Sequence, residues 1–178
     1  MTTKLVYLLG KPGVGKYTIA KEMSGYLICD NQLINSTIFS LINLKRGAIP
    51  GFAWESIDKI RDAVLDFISV ERCNDYVLTN NLYNNDFDRK IYKQVLRTAL
   101  KRDSTFVPVR LYLDPNEHQK RIQEEERKAR YKSTKLRDMH LDSEMLPVDH
   151  NSLLDLDITN LSAKEAAAII MKHVDDLG

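Results

Sequence analysis

Gly10-Lys-Pro-Gly-Val-Gly-Lys-Tyr-Thr18 decides the fold of this chain. Its form is GxxGxGKxT, and its glycines let the backbone curl so that successive N–H groups converge on one anion. Such a loop belongs between a buried strand and a helix. Upstream, Lys4–Leu9 (KLVYLL) is a short apolar run, the pattern of a strand buried on both faces. Downstream, Ile19–Gly25 reads as a helix whose positive N-terminal end also favours an anion. Gly10, Pro12, Gly13, Val14, Gly15, Lys16, Tyr17 and Thr18 are therefore the expected phosphate-binding set, with Lys16 as the mobile cation for β- and γ-phosphates. A small hydroxyl near the helix start serves Mg²⁺ in such loops. Tyr17 stands directly after Lys16, so that task falls to Thr18 one place later, by direct contact or through water.

Strand and helix patterns alternate along the remaining chain. Tyr26–Cys29 is a second strand ending at Asp30, and Asn31–Leu44 has helical apolar spacing. Gly47–Gly51 (GAIPG) interrupts it, and Trp54–Val70 is helical again. Tyr76–Leu78 is a third strand leading into Thr79-Asn80-Asn81, and Asp86–Arg102 is an amphipathic helix. Thr105–Leu113 is a fourth strand, in which Pro108 is tolerable at an edge or a bulge. Asp114-Pro115 caps the next helix, Leu153–Ile158 is a fifth strand, and Ser162-Ala-Lys-Glu165 is a capping box opening a last helix through Leu177. The pattern predicts an α/β fold with a five-stranded parallel sheet covered by helices on both faces, a three-layer sandwich. Residues 1–178 read as one domain.

Composition limits the function classes. The chain has 178 residues, 43% hydrophobic and 29% charged, ordinary globular values that exclude a mainly disordered or collagen-like protein. Lys and Arg number 26 against 25 Asp and Glu, so no chain-wide basic field exists for nucleic acid. The charge is nevertheless uneven. Residues 127 to 137 hold six Lys or Arg and no acid, whereas residues 138 to 178 hold nine acids against Lys164 and Lys172. Cys29 and Cys73 form neither a disulfide framework nor a zinc set and suit a reducing, cytoplasmic setting. The first apolar run lacks a basic region and cleavage site, so it reads as a strand and not a signal peptide. No stretch approaches the roughly 18 consecutive apolar residues of a membrane helix.

The loop Gly10–Thr18 resembles that of the small P-loop kinases: adenylate, shikimate, gluconate and polynucleotide kinases and antibiotic phosphotransferases. An uncharacterised bacterial group within that superfamily, labelled shikimate-kinase-like or AAA-family ATPase, is similar over most of the chain. The similarity runs through GKYT, CDNQL, the RI…R…KL…D stretch and DITNLSAKEAA. It implies a nucleoside-monophosphate-kinase-like P-loop NTPase fold with acceptor-binding helices at about 31–72 and a helical lid at about 121–140. It also implies phosphoryl transfer from ATP, with Mg²⁺, to a hydroxyl of a small molecule.

Ligands in open α/β sheets gather at the carboxyl ends of the strands. Asp30 stands there as candidate base toward an acceptor hydroxyl, with a helix N-cap as the plainer alternative. Asn31 adjoins it. The resemblance adds Arg61 as an acceptor-holding residue, against a solvated helix arginine, and Asn80 or Asn81 at the end of strand 3 as hydrogen-bonding groups. Neither the Asp-Gly-Phe-Pro-Arg of adenylate-type kinases nor the glycine triplet of shikimate kinases is present, which excludes both of those activities.

For the lid, Arg127 is the first candidate to meet the transferring phosphate, followed by Arg121 and Arg130; a solvated charged helix is the alternative for each. Thr159 and Asn160 fall where related kinases read adenine, and no guanine-reading Asn/Lys-x-x-Asp motif stands out. His118, His140, His150 and His173 lack metal-set spacing and read as surface or partial core. The expected partners are a nucleoside triphosphate and a small hydroxylated substrate, with the chain a monomer or dimer. A regulatory NTPase without a small acceptor, and an effector-like kinase acting on a macromolecule, are the alternatives.

Overall fold

The computed structural model describes residues 2–42, 49–122 and 143–177, with side chains described for all of these except 121 and 122. In chain order the elements are β1 (Lys4–Leu9), α1 (Lys16–Glu22), β2 (Tyr26–Asp30), α2 (Asn31–Phe39), α3 (Gly51–Val70) and β3 (Asp75–Asn80). They continue with α4 (Asp86–Lys101), β4 (Thr105–Tyr112), α5 (Pro115–Ile122), β5 (Leu154–Asp157) and α6 (Ala163–Asp175). The five strands form one parallel sheet in the order β2-β3-β1-β4-β5.

Strand alternation sorts β1 between two cores. Val6 and Leu8 pack with Ile19 and Ala20 of α1 and with Ala166, Ile170 and Val174 of α6. Leu5, Tyr7 and Leu9 pack on the other face with Leu65 and Ile68 of α3 and with Ile91 and Val95 of α4. Two covered faces explain why KLVYLL carries no polar alternation. A smaller cluster of Ile34, Phe39 and Ile57 joins α2 to α3. Edge strands β2 and β5 are less covered, and Leu27 on β2 is half-exposed.

Several boundaries depart from the sequence periodicity for local reasons. Helix α1 begins at Lys16, not Ile19, because Gly15 takes the left-handed conformation at φ 105° and turns the chain directly into the helix. Helix α2 ends at Phe39, short of the expected Leu44: Ser40–Ile42 form a turn, and residues 43–44 lie outside the described residues. Helix α3 begins at Gly51, not Trp54, since extended Pro50 serves as its N-cap. Its first turn escapes an apolar-stripe reading because only Ala53 there is buried. The caps read from sequence form as expected: Asp114 accepts from Asn116 N at 2.9 Å, and Ser162 and Glu165 make both halves of a capping box.

Pro108 lies neither on an edge strand nor at a bulge: β4 runs between β1 and β5, with Pro108 in register with Tyr7. Pairing to β5 starts only at Val109. The Phe106 carbonyl, two residues before Pro108, accepts from Ser152 Oγ at 2.7 Å. Alternation puts Pro108 on that same side, where no strand runs alongside, so its missing N–H breaks no ladder bond to β1.

Candidate active site

Strand order reverses beside β1, the central strand, and β1 runs directly into the glycine loop, which sets that loop at the switch point. Gly10 is buried, and a Cβ there would sit 2.7 Å from the Leu111 carbonyl oxygen, so no side chain fits. Gly13 and Gly15 both have positive φ, 89° and 105°, the left-handed region glycine adopts without steric cost. Val14, nearly fully buried, roots the loop in the core, and its N–H donates to the Lys11 carbonyl at 3.3 Å. The Lys16 ammonium donates to the carbonyls of Gly10 at 2.6 Å and Lys11 at 3.0 Å. Gly15 offers no side-chain cap, which leaves the first amides of α1 without the acceptor a Ser or Asp would bring. Tyr17 is half-buried and its ring carries the Lys21 ammonium at 5.5 Å, while Thr18 is exposed on α1.

Asp30 closes β2 at only 4% exposure. Its Oδ1 accepts from the Thr79 hydroxyl at 2.5 Å and from Gln32 N at 3.4 Å. Thr79 Oγ1 accepts in turn from Asn31 N at 3.3 Å. The capping reading of Asp30 is therefore met, and the same carboxylate is held at the carboxyl end of the sheet. Thr79, not Asn80 or Asn81, is its strand-3 partner, because parallel register sets Asp30 opposite Thr79. Asn80 is buried as the last residue of β3, and Asn81 follows it half-buried. Burial, and then the neighbouring Asp30 charge, push the Cys29 thiol up to about 11.

Arg61 is not a solvated helix arginine: it is 5% exposed and pairs with Asp58 one turn earlier. Its Nε is buried without a hydrogen-bond partner, as is Oδ1 of Asn31. Beside β2, a cavity of about 320 Å³ opens between α2 and α3, lined by Asp30 and by aliphatic side chains including Leu33, Ile34, Ile60 and Val64.

Across the sheet, Thr159 Oγ1 accepts from Asp114 N at 2.8 Å and donates to Asp157 Oδ1 at 2.6 Å. The bond from the Thr159 hydroxyl, with one from Thr159 N, holds the Asp157 carboxyl below the usual range. The Thr159 side chain thus ties two loops together, and Asn160 beside it is exposed. His118 on α5, expected to be unremarkable, lies with Nε2 2.6 Å from the Pro12 carbonyl oxygen. No spacing rule flags that contact, since it joins residues 106 apart in sequence. Arg127 and Arg130, with most of the expected lid, lie outside the described residues; Arg121 falls in α5, where only its backbone is described.

Oxygen donors for a nucleotide-borne Mg²⁺ are present in Thr18 and Asp30, and among the described residues no group of three His, Cys, Asp or Glu could hold a metal. Among the described residues no helix is long and apolar enough to cross a membrane.

No family model and no curated protein matches the chain. Solved structures do. A sugar kinase from a Janibacter species superposes with a TM-score of 0.64 at 15% identity, covering 97% of this chain and 95% of that one. A gluconokinase from Sinorhizobium meliloti gives 0.64 at 11% identity over 98% and 93%. The APS kinase of Mycobacterium tuberculosis, solved in complex with AMPPNP and APS, gives 0.64 at 14% identity over 98% of each chain. With the sheet order and the glycine loop, that likeness shows that the chain has the fold of the P-loop kinases.

Proposed function

We propose that the chain is an ATP- and Mg²⁺-dependent phosphotransferase that moves a γ-phosphoryl group to a hydroxyl of a small molecule. The observation that carries this reading is the self-occupied loop: the Lys16 ammonium rests on the Gly10 and Lys11 carbonyls beside helix amides that lack a side-chain cap. Such a loop is built for an anion with several oxygens.

In this reading Lys16 exchanges its carbonyl partners for phosphate oxygens, and the amides of residues 13–18 cradle the β-phosphate. Thr18 would offer an oxygen contact from α1 to a nucleotide-bound Mg²⁺, which would supply positive charge to offset that of the phosphates. Asp30, held by Thr79, orients the acceptor hydroxyl and takes its proton. Asn31, Arg61, Asn80 and Asn81 line the acceptor side. Arg121, Arg127 and Arg130 supply cationic closure over the phosphates. Thr159 and Asn160 border the base, the former through its backbone because its hydroxyl is committed.

A nucleotide-dependent switch without a small acceptor is the second reading. It is favoured by one observation: an amide, Asn80, ends β3 where a metal-orienting carboxylate commonly stands. ATP turnover measured alone and with a panel of hydroxylated metabolites separates the two. Stimulation by one acceptor supports the kinase; turnover that no acceptor changes supports the switch.

A further inference from the structure

The tip of the phosphate loop is fastened from outside by α5. His118 is half-buried on a largely exposed helix, and its Nε2 sits 2.6 Å from the Pro12 carbonyl oxygen. A carbonyl can only accept, so Nε2 carries the proton and donates. The carbonyls of Gly10 and Lys11 both hold the Lys16 ammonium. They lose it together when that ammonium turns to phosphate. The Pro12 bond does not depend on Lys16.

Resting on the nucleotide reading above, we propose that His118 is a positioning residue for the phosphate site. It holds the loop tip in its receptive shape while Lys16 changes partners. The anchor is itself tied down. His118 N donates to the Asp114 carbonyl at 2.9 Å, and the Asp114 side chain caps α5. Asp114 N donates to Thr159 Oγ1, and Thr159 donates to Asp157. A chain of hydrogen bonds therefore runs from the loop tip to the end of β5. Asp157 and Thr159 lie in the segment where adenine is expected, so this frame joins the phosphate end of the nucleotide site to its base end. The ligand class it serves is a nucleoside di- or triphosphate.

The test uses the full chain with ATP as the probe, titrated calorimetrically into the wild type, His118→Ala and His118→Gln. Hydrogen exchange without nucleotide is followed over residues 10–18 and over α5. His118→Ala should weaken ATP binding about fivefold, the equivalent of about 1 kcal/mol for one hydrogen bond. Exchange should quicken in the loop and stay unchanged through α5. His118→Gln, which keeps an amide donor, should restore affinity to within about twofold of wild type. Unchanged ATP affinity in His118→Ala overturns the proposal, as does a loss that Gln does not repair or faster exchange spread along α5. If the wild type binds neither ATP nor another nucleoside triphosphate, the nucleotide reading falls and this proposal with it. If the wild type binds and His118→Ala binds equally well, only this proposal falls.

Discussion

The hydroxyl of Thr79 donates to the buried carboxylate of Asp30 at 2.5 Å, across the β2–β3 pair that sets the two residues opposite each other. A hydrogen bond to a charged group contributes about 1.5–3 kcal/mol, so Thr79→Val should lower stability by about 2 kcal/mol while Thr79→Ser stays near wild type. Urea unfolding reads both. Asp30→Asn separates cap from base. Asparagine still caps a helix well, so nucleotide affinity should hold within about threefold, whereas loss of a general base should cost turnover about a hundredfold or more. Turnover equal to wild type would reduce Asp30 to a cap.

Lys16→Ala is the sharper test of the loop. The ammonium bonds two loop carbonyls, so its removal takes away both the phosphate's cation and part of the loop's own support. Phosphoryl transfer should vanish, and nucleotide affinity should fall at least about tenfold, since charge-assisted bonds are the stronger ones. Lys16→Arg should not rescue transfer, because a planar guanidinium cannot replace a compact ammonium in that space. Activity surviving in the alanine variant would sink the kinase assignment.

Local patterns in the sequence carried the loop, the buried central strand and the caps, because glycine runs, apolar runs and Ser-x-x-Glu spacing act within a few residues. Relationships set by packing between distant segments did not show. Arg102 reads as the charged end of an amphipathic helix, yet it is almost fully buried, donating to the Asn74 carbonyl at 2.7 Å and lying over the Tyr76 ring at 4.8 Å. Thr79 looks no different in sequence from its asparagine neighbours, because only strand register reveals which residue faces Asp30. His118 meets Pro12 through the docking of α5, which no periodicity encodes. Arg61 likewise turns inward because α3 lies between α2 and α4 and leaves that face little solvent.

On the proposed reading, Thr18 is the oxygen that serves the metal from α1. It stands two residues into α1, about 100° around the helix axis from Tyr17, so its hydroxyl cannot occupy the place a hydroxyl at 17 would take. Thr18→Val should leave turnover at saturating Mg²⁺ within about threefold and raise the Mg²⁺ concentration needed for half-maximal turnover several-fold, as expected for an oxygen contact made beside phosphates and water. Tyr17→Ser, which returns a hydroxyl to the position next to Lys16, should lower that concentration below the wild-type value. A metal requirement identical in all three proteins would remove Thr18 from the site.

Alkaline pH should destabilise the chain, and the sign follows from its half-buried tyrosines and Cys29. Burial pushes Tyr26, Tyr83 and Tyr92 up to about 12, and the Cys29 thiol up to about 11. In the unfolded chain these groups ionise near their ordinary values, about 10 for tyrosine and about 8.5 for cysteine. Between those values and the folded ones, the unfolded state binds fewer protons than the folded state, so stability falls as pH rises. Below about pH 8.5 their contribution is fully present. It should drain away from there upward and be gone above about pH 12. Urea midpoints at pH 8, 9.5 and 11 should therefore decline in order. Tyrosinate formation at these three half-buried rings should lag behind that of free tyrosine and complete as the chain unfolds. A midpoint constant from pH 8 to 11 would mean that these side chains are already solvated in the folded protein.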